Sequence, residues 1–363
     1  MPAYVDSLCE EIRIANKDSR DLHLHTIYFG GGTPSLILLD AYEKILSSLH
    51  DAYFITEDCE ISLEANPGTI SKEYLAGLFS LGFNRLSLGV QSTDTFDLAR
   101  LDRIHSIEDV LSGIYHARQA GFSNLNLDLI FGQPWQTLES WENSLRRAIN
   151  LDPEHFSLYS LIIEPGTALD AWYQKGLIAM QDQDLEADMY ESAMDLLAKA
   201  GYEQYEISNW AKNSAVKDFR CRHNLQYWTN RPYFGFGAGA HGYVEGMRTV
   251  NPPQIEDYIY RVMNFPLQHE RKRLFPAAIS ISEVDQNTQM RDFMMLGLRL
   301  VQEGVSVEVF AEEFGQDMTA VFEKEIDLLV KQGLIEWVQG GFNRLRLTKR
   351  GIFVANQVFM HFV

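Results

Sequence analysis

The feature that most constrains this chain is a regular alternation of β-rich runs with helix-patterned stretches over its first two hundred residues. The β-rich runs begin 25 to 39 residues apart, at 25–29, 60–64, 85–90, 124–130 and 156–163. Between them, apolar residues recur at helical spacing in segments 71–81, 107–120 and 138–149. This rhythm is typical of βα units, in which a helix connects two parallel neighbouring strands. The sequence therefore predicts an α/β fold built on a parallel sheet.

Composition excludes several classes of protein. The 363 residues are 46% hydrophobic and 22% charged, which excludes disordered, collagen-like and coiled-coil chains. No apolar run approaches 18 residues, so no transmembrane helix is predicted, and the first residues lack a signal-peptide pattern. We therefore expect a cytoplasmic protein. Fifty acidic against 31 basic residues give a net charge of -19, which argues against nucleic acid as a partner of the whole chain.

Polar residues end three successive predicted strands. They are Glu64, Gln91 and Asp128. Ligands of α/β proteins bind at the carboxyl ends of the strands, whereas a single polar residue there is often only a solvated loop edge. Three successive strands with this feature favour a binding site. Asp128 also shares one strand face with Asn126, because alternate residues of a strand point the same way.

A glycine run, GGGTPS at 30–35, follows the first predicted strand. Glycines let a ligand approach backbone amides, although a plain tight turn remains open. The run has neither the Lys-Ser/Thr of a P-loop nor a GxGxxG pattern. Glu64 could accept two hydrogen bonds from a ribose diol, or its segment could simply cap a helix through Thr69 or Ser71. Arg103 could clamp a carboxylate or form a surface ion pair.

The other distinctive block is HNLQYW at 223–228. A neutral imidazole such as that of His223 can ligate haem iron, and the flanking Tyr227 and Trp228 can stack on a macrocycle. The alternative is a hydrogen-bonded core histidine. A second histidine, His241, follows in GAGAHG at 237–242.

The last ninety residues have the pattern of a separate unit. Helical spacing at 289–301, 307–314 and 319–331 precedes a predicted hairpin, 334–338 and 344–347, across Gly340-Gly341. A final helix is predicted after Leu347. This order indicates a helical, winged-helix-like C-terminal domain.

These motifs together resemble the HemW-type haem chaperones, which belong to the oxygen-independent coproporphyrinogen III oxidase group of radical SAM proteins. The matching segments are GGGTPS, LEANPGT at 63–69, RLSLGVQS at 85–92, DLIFGQPWQT at 128–137, HFSLYSLIIEPGT at 155–167, YEISNWA at 205–211, HNLQYW and GAGAHG. The resemblance implies a radical SAM partial (βα) barrel lacking its first strand, followed by the winged-helix-like domain. It divides the chain into a partial barrel at 1–180, a region that completes the barrel and holds the haem motif at 181–276, and the C-terminal domain at 277–363.

The resemblance also implies ligands and site residues. The residues expected to contact S-adenosylmethionine (SAM) are Gly31, Gly32, Thr33, Glu64, Gln91, Arg103, Asp128 and Ile162. His223, Tyr227 and Trp228 are expected to contact haem, with His223 as the candidate iron ligand. Haem-accepting proteins, respiratory ones among them, are the implied partners.

One departure from the family pattern concerns the [4Fe–4S] cluster. Radical SAM enzymes hold this cluster with cysteines spaced CxxxCxxC, which the resemblance places shortly before GGGTPS. The chain has three cysteines, Cys9, Cys59 and Cys221, and none has that spacing. We expect either a truncated start or a version without a cluster, and correspondingly weak SAM binding.

The sequence leaves three functions open. The favoured one is haem binding and delivery on a radical SAM fold. An enzyme that oxidatively decarboxylates coproporphyrinogen III, in porphyrin biosynthesis, is the first alternative, and no catalytic residue is assigned for it. A winged-helix DNA-binding protein is the second, because residues 331–363 carry five basic residues against Glu336.

Overall fold

The computed structural model describes residues 1–15, 22–266, 274–338 and 343–363. The described strands are β1 (His23–Phe29), β2 (Phe54–Ala65), β3 (Arg85–Gln91), β4 (Leu125–Phe131), β5 (His155–Ser160), β6 (Tyr202–Glu206), β7 (Asn209–Lys212), β8 (His241–Val244), β9 (Met247–Val250), β10 (Ser280–Glu283), β11 (Val305–Ser306), β12 (Ile335–Val338) and β13 (Arg344–Leu347). The described α-helices are α1 (Pro2–Ala15), α2 (Leu39–Ala52), α3 (Lys72–Ser80), α4 (Thr95–Arg100), α5 (Ile107–Ala120), α6 (Leu138–Ile149), α7 (Ala168–Gln174), α8 (Gln183–Lys199), α9 (Arg222–Trp228), α10 (Ile255–Met263), α11 (Gln286–Gly297), α12 (Val307–Phe314), α13 (Met318–Val321), α14 (Glu323–Lys331), α15 (Lys349–Phe353) and α16 (Ala355–Phe359). Single 3₁₀ turns lie at Pro34–Leu36, Pro67–Thr69 and Met360–Phe362.

The main sheet confirms the predicted α/β architecture. Its seven described strands have the order β1-β2-β3-β4-β5-β7-β6, with β2 to β5 parallel and β7 and β6 antiparallel. The five predicted strands correspond to β1–β5. The strand predicted at 60–64 was too short, because the charged and exposed first half of β2 hides its strand pattern. The strand predicted at 156–163 was too long, since β5 ends at Ser160, before the loop that leads to Pro165.

The core of the sheet lies on one face. Leu63, Leu86 and Leu125 pair across three strands and are fully buried, as is Phe156 opposite Leu127. The helices that connect the strands cover these residues, as α6 shows: Trp141 is fully buried and its indole N–H donates to the carbonyl of Met189 in α8. Successive residues of a strand point to opposite faces, so the other face of the sheet carries the polar residues.

The chain divides into two compact units. Unit 1 comprises Met1–Ile27, Ile37–Glu60 and Arg222–Val363, and unit 2 comprises Tyr28–Leu36 and Ile61–Cys221. The strands β1 and β2 contribute residues to both. This division does not follow the boundaries predicted at 180 and 276, which stay a prediction.

The C-terminal part of unit 1 has the predicted order of helices followed by a hairpin. The strands β12 and β13 pair antiparallel, with β11 on the other side of β13. The predicted Gly340-Gly341 turn lies outside the described residues. The helix predicted at 319–331 is interrupted at Phe322, whose buried side chain separates α13 from α14. Among the described residues, no helix has the length and apolar character needed to cross a bilayer.

Candidate functional site

A row of polar residues crosses the parallel strands of unit 2 in register. Glu64 of β2 pairs with Ser87 of β3, Ser87 pairs with Asn126 of β4, and Asn126 pairs with His155 of β5. Residues paired in this way project from the same face of a sheet. The sheet therefore presents a continuous polar strip, to which Asp128 adds a carboxylate two residues further along β4.

Glu64 sits at the centre of the first predicted cluster. The Tyr28 hydroxyl donates to Oε1 at 2.5 Å, and the backbone N–H of Gly31 donates to Oε2 at 3.0 Å. A carboxylate has about four acceptor positions, so these two bonds leave positions for a ligand's hydroxyl groups. Burial, followed by the charge of Glu64, raises the pKa of Tyr28 and keeps this phenol a donor.

The glycine loop is shaped by the same contact. A Cβ at Gly30 would lie 2.5 Å from Cε1 of Tyr28, so a larger residue there would displace the tyrosine ring. Gly31 and Gly32 have φ values of +82° and +62°, a region that other residues rarely adopt. Open space surrounds the positions that their side chains would occupy, which leaves the loop backbone accessible.

A buried serine anchors this loop. The Ser35 hydroxyl lies 2.5 Å from that of Thr69 and accepts a hydrogen bond from the backbone N–H of Asn66. The glycine loop and the LEANPGT loop are thus tied together. Of the two proposed helix caps, Ser71 caps α3 by accepting from Tyr74 N.

Asp128 is held by two donors. Asn126 Nδ2 donates to one carboxylate oxygen at 2.8 Å, and the Ser87 hydroxyl donates to the other at 3.1 Å. Burial of the carboxyl group raises its pKa to about 6, hydrogen bonds from Asn126, Ser87 and Ser157 oppose the rise, and the nearby charge of Glu64 adds to it. A carboxyl group with such a pKa changes protonation state close to neutral pH.

Asn126, one of the donors to Asp128, is itself oriented by His155, a fully buried residue. The backbone N–H of Cys221 donates to the Tyr205 hydroxyl, which lies 2.9 Å from His155 Nε2. Asn126 donates through Nδ2 to Ser87 and Asp128, which leaves Oδ1 as the atom that faces His155. Because an amide oxygen can only accept, His155 Nδ1 donates to it, at 2.6 Å. His155 is consequently the Nδ1–H tautomer, with Tyr205 donating to Nε2. Burial lowers the pKa of His155 well below its ordinary value, in agreement with a neutral ring.

The other predicted SAM contacts differ in exposure, and Gln91 is half-buried like Glu64 and Asp128. Gln91 is the last residue of β3 and has a φ of +67°. Its side-chain amide packs close to Gly89, where a Cβ would lie 3.0 Å from Gln91 Nε2. Arg103, Thr33 and Ile162 are exposed, and Ile162 lies just beyond β5. No ion pair of Arg103 with Asp97 or Asp102 occurs in the described ranges; Asp97 instead accepts from Ser92, Trp135 and Gln136.

The donor set of unit 2 fits the ribose and backbone groups of SAM, because carboxylates and an open glycine loop meet at one edge of a parallel sheet. The residues do not fit a [4Fe–4S] cluster. Cys59 and Cys221 are buried and Cys9 is half-buried in α1. Within the described residues, no three His, Cys, Asp or Glu side chains are grouped to hold a metal ion.

The HNLQYW block forms the short helix α9 in unit 1. Glu60 of β2 accepts from the backbone N–H of His223 at 3.2 Å, and Asp58 forms an ion pair with Arg222 at 3.0 Å. Carboxylates at a helix N-terminus satisfy its unpaired amides. Two residues of one strand therefore hold the first turn of this helix.

Both nitrogens of the half-buried His223 ring lie within hydrogen-bond distance of a hydroxyl group. Its Nδ1 lies 2.9 Å from Thr26 Oγ1 in β1, and its Nε2 lies 2.9 Å from the hydroxyl of Tyr227, one turn later in α9. The ring of Tyr227 stands edge-on to His223 and to Tyr233, with centroid distances of 5.0 Å and 4.6 Å.

Trp228 has different neighbours. The guanidinium of Arg299 lies 4.2 Å from the centroid of its ring and 5.9 Å from that of Phe359. The indole nitrogen of Trp228 is buried, with no hydrogen-bond partner in the described part of the chain. Trp228 thus packs toward the C-terminal residues, while Tyr227 contacts His223. His241, the second candidate histidine, is exposed at the start of β8.

The comparison with known proteins gives the family. The heme chaperone HemW of Bacillus subtilis (strain 168) is 38% identical over 363 residues, which cover 99% of this chain and 91% of that protein. The chain belongs to the HemW family. A second HemW relative, from Lactococcus lactis, is 34% identical and covers 99% of this chain and 89% of its own length.

Domain and structure comparisons agree with membership of the HemW family. The Radical SAM superfamily matches residues 3–148, and the HemN C-terminal domain matches residues 284–354. The fold is that of the coproporphyrinogen III oxidase HemN from Escherichia coli, with a TM-score of 0.80 at 21% identity over 99% of this chain and 82% of that one. The expected radical SAM fold is therefore confirmed.

Sequence reasoning missed several residues of the two candidate sites. Tyr28, Ser87 and His155 were not singled out, although polar residues alternate with apolar ones in β5 and could have indicated a polar face. Thr26 carried no signal, because its partner is 197 positions away.

Proposed function

We propose that this chain is a haem chaperone that binds haem and delivers it to haem proteins, respiratory ones among them, in the cytoplasm. The observation that carries the proposal is the 38% identity, over nearly the whole of both chains, to a protein named as a heme chaperone. The helix α9 gives the proposal a residue-level basis, since it presents an imidazole between aromatic and hydroxyl side chains.

In this proposal His223 is the axial ligand of haem iron. Imidazole is a common protein ligand of haem, and the half-buried ring of His223 is already oriented by its neighbours. Tyr227 lies beside the ring, and Trp228 contributes by packing α9 against the guanidinium of Arg299.

Unit 2 is proposed to keep a SAM-type pocket. Its residues would be Gly31, Gly32, Thr33, Glu64, Gln91, Arg103, Asp128 and Ile162. Bound SAM would supply a ribose diol, for which the free acceptor positions of Glu64 and Asp128 are suited, and a charged methionine end. Because the cysteines do not fit a cluster, we expect the methionine end to be weakly held and no radical step to depend on this chain's residues.

Haem titration of the purified chain tests the proposal. The absorbance of added haem should shift on binding, and His223→Ala should weaken binding by more than tenfold, because the coordinate bond to iron is lost. The matched control is His241→Ala, which removes an exposed histidine of the same unit and should bind haem like the parent chain. Normal binding by His223→Ala would contradict the assignment, and loss only in His241→Ala would transfer the ligand role to that residue.

A second measurement addresses delivery. The haem-loaded chain, mixed with an apo haem protein, should pass its haem on, which the spectrum of the acceptor reports. Turnover of coproporphyrinogen III without haem binding would instead support the oxidase alternative. Failure to release haem to any acceptor would leave a binding protein and not a chaperone.

A further inference from the structure

Both nitrogens of the proposed iron ligand have hydrogen-bond partners. Thr26 Oγ1 lies 2.9 Å from Nδ1 of His223, and the Tyr227 hydroxyl lies 2.9 Å from Nε2. A nitrogen that binds iron must present its lone pair to the metal. One of these two hydrogen bonds must therefore be given up when haem binds.

The two partners differ in their freedom to move. Thr26 is part of β1 in the main sheet, and its β-branched side chain is stiff at χ1. The hydroxyl of Tyr227 lies at the far end of a long side chain on a seven-residue helix, and its ring touches His223 and Tyr233 edge-on. A rotation of Tyr227 can withdraw the hydroxyl, whereas Thr26 has little room to withdraw.

The two nitrogens also differ in access. Nδ1 is bonded to the ring carbon that carries the Cβ of His223, so it is close to the helix backbone and to β1. Nε2 lies at the outer end of the ring, farther from the backbone of α9 than Nδ1. Displacement of Tyr227 is consequently the easier of the two routes.

We infer that Tyr227 is a displaceable guard on Nε2 of His223 and that Thr26 is a positioning residue at Nδ1. When haem binds, the Nε2 lone pair is donated to iron, the Tyr227 hydroxyl leaves with its proton, and Nδ1–H continues to donate to Thr26. The backbone of His223 stays fixed by Glu60. This inference rests on the proposed function, because it assumes that His223 ligates haem.

The inference assigns opposite effects to the two hydroxyl groups. The Tyr227 hydroxyl competes with iron, so removing it favours the haem-bound state. The Thr26 hydroxyl fixes the orientation of the ligand and increases its basicity, as partners of metal-bound histidines generally do. If both hydroxyl groups only stabilised the structure, removing either one would weaken haem binding.

Haem titrations of Tyr227→Phe and Thr26→Val test these signs. Tyr227→Phe should bind haem roughly fivefold more tightly, because one ordinary hydrogen bond no longer competes with iron. Thr26→Val should bind roughly tenfold more weakly and shift the reduction potential of the bound haem, and Thr26→Ser should restore both values. The control is Tyr243→Phe, in the same unit, for which no side-chain hydrogen bond is seen among the described residues; its affinity should not change.

The outcomes separate this inference from the proposed function. If His223→Ala loses haem while Tyr227→Phe binds no more tightly than the parent, the guard role is wrong and the ligand assignment stands. If Thr26→Val folds, as judged by its melting curve, and keeps the parent affinity and potential, the positioning role is wrong. If His223→Ala binds haem normally, the ligand assignment itself fails.

Discussion

At the scale of single residues, one buried histidine determines the arrangement of the polar strip in unit 2. His155 has a partner at each ring nitrogen and orients Asn126, which in turn donates to Asp128 and Ser87. A buried polar group is stabilising only as long as its partners are present. The consequence of losing the imidazole should therefore extend to side chains that it does not touch.

Replacing His155 by phenylalanine should lower the free energy of unfolding by about 1 to 3 kcal/mol, because the Tyr205 hydroxyl proton loses its acceptor and Asn126 Oδ1 keeps only Ser157 as a donor. Urea unfolding followed by circular dichroism measures this difference. His50→Phe, at an exposed position of α2, is the control and should change stability by less than about 0.5 kcal/mol. If His155→Phe lowers the free energy of unfolding by less than about 1 kcal/mol, the hydrogen bonds around His155 do not act cooperatively.

At the scale of elements, α1 is joined to the GAGAHG loop by a buried carboxylate. Glu11 is 2% exposed, and it accepts from the backbone N–H of Gly237 at 2.8 Å, from Asn251 Nδ2 at 2.8 Å and from the Tyr258 hydroxyl at 2.7 Å. The role of Glu11 is therefore to hold the loop.

Burial raises the pKa of Glu11 to about 7, against the opposing effect of its three hydrogen bonds. The folded state thus binds the proton more tightly than the unfolded chain. The stabilising contribution is complete below the unfolded value near 4.5, and it is lost as the pH rises through about 7. The free energy of unfolding of the parent chain should therefore fall by up to about 3 kcal/mol as the pH rises over this range. In Glu11→Gln, which has no proton to lose at this position, this fall should be absent.

Urea unfolding at several pH values between 4.5 and 8 checks this difference in slope. Glu10→Gln is the control, because Glu10 lies on the same helix and pairs with the exposed Arg13. The control should keep the slope of the parent chain. Identical slopes in Glu11→Gln and the parent would contradict the raised pKa.

Some helices and strands could be predicted from the sequence, and others could not. Strands such as β3 and β4 are apolar runs whose pattern is local, and α12 matches its predicted bounds because Ser306 caps it and Gly315 ends it. The strands β6 and β7 were missed because they are short and pair antiparallel after a run of parallel strands.

In the candidate sites, too, local features could be predicted from the sequence and distant contacts could not. The residues at the ends of β2 and β4 were predictable, since their position depends on strand direction. The partners of these residues were not, because Tyr28 and Glu64 are 36 positions apart and Thr26 and His223 are 197 apart. Hydrogen bonds between distant segments leave no periodic trace in a sequence.

At the scale of the whole molecule, the net charge of -19 affects every charged partner. Haem carries two propionate groups and is repelled at long range, as is duplex DNA. Salt screens such repulsion, with a Debye length near 10 Å at 0.1 M. Haem must therefore bind despite the long-range repulsion between its propionates and the negatively charged protein.

The rate of haem association should accordingly rise between 0.01 M and 0.15 M salt, by roughly twofold or more, which stopped-flow absorbance measures. Random duplex DNA should cause no mobility shift at low salt. A haem association rate that falls with salt would point to a local basic patch that overrides the net charge. A salt-sensitive DNA shift would revive the winged-helix alternative.

The division of unit 1 between distant parts of the chain also bears on how the protein is made. His223 is synthesised 197 residues after Thr26, and Arg299, which packs on Trp228, follows after a further 76 positions. At about 5 to 20 residues per second, the interval is on the order of ten seconds or more. Unit 2 can be assembled meanwhile, because its last segment ends at Cys221. A ribosome-bound chain stalled before His223 is translated should therefore lack the proposed haem site, so that cargo is accepted only after the distant segments of unit 1 have been made.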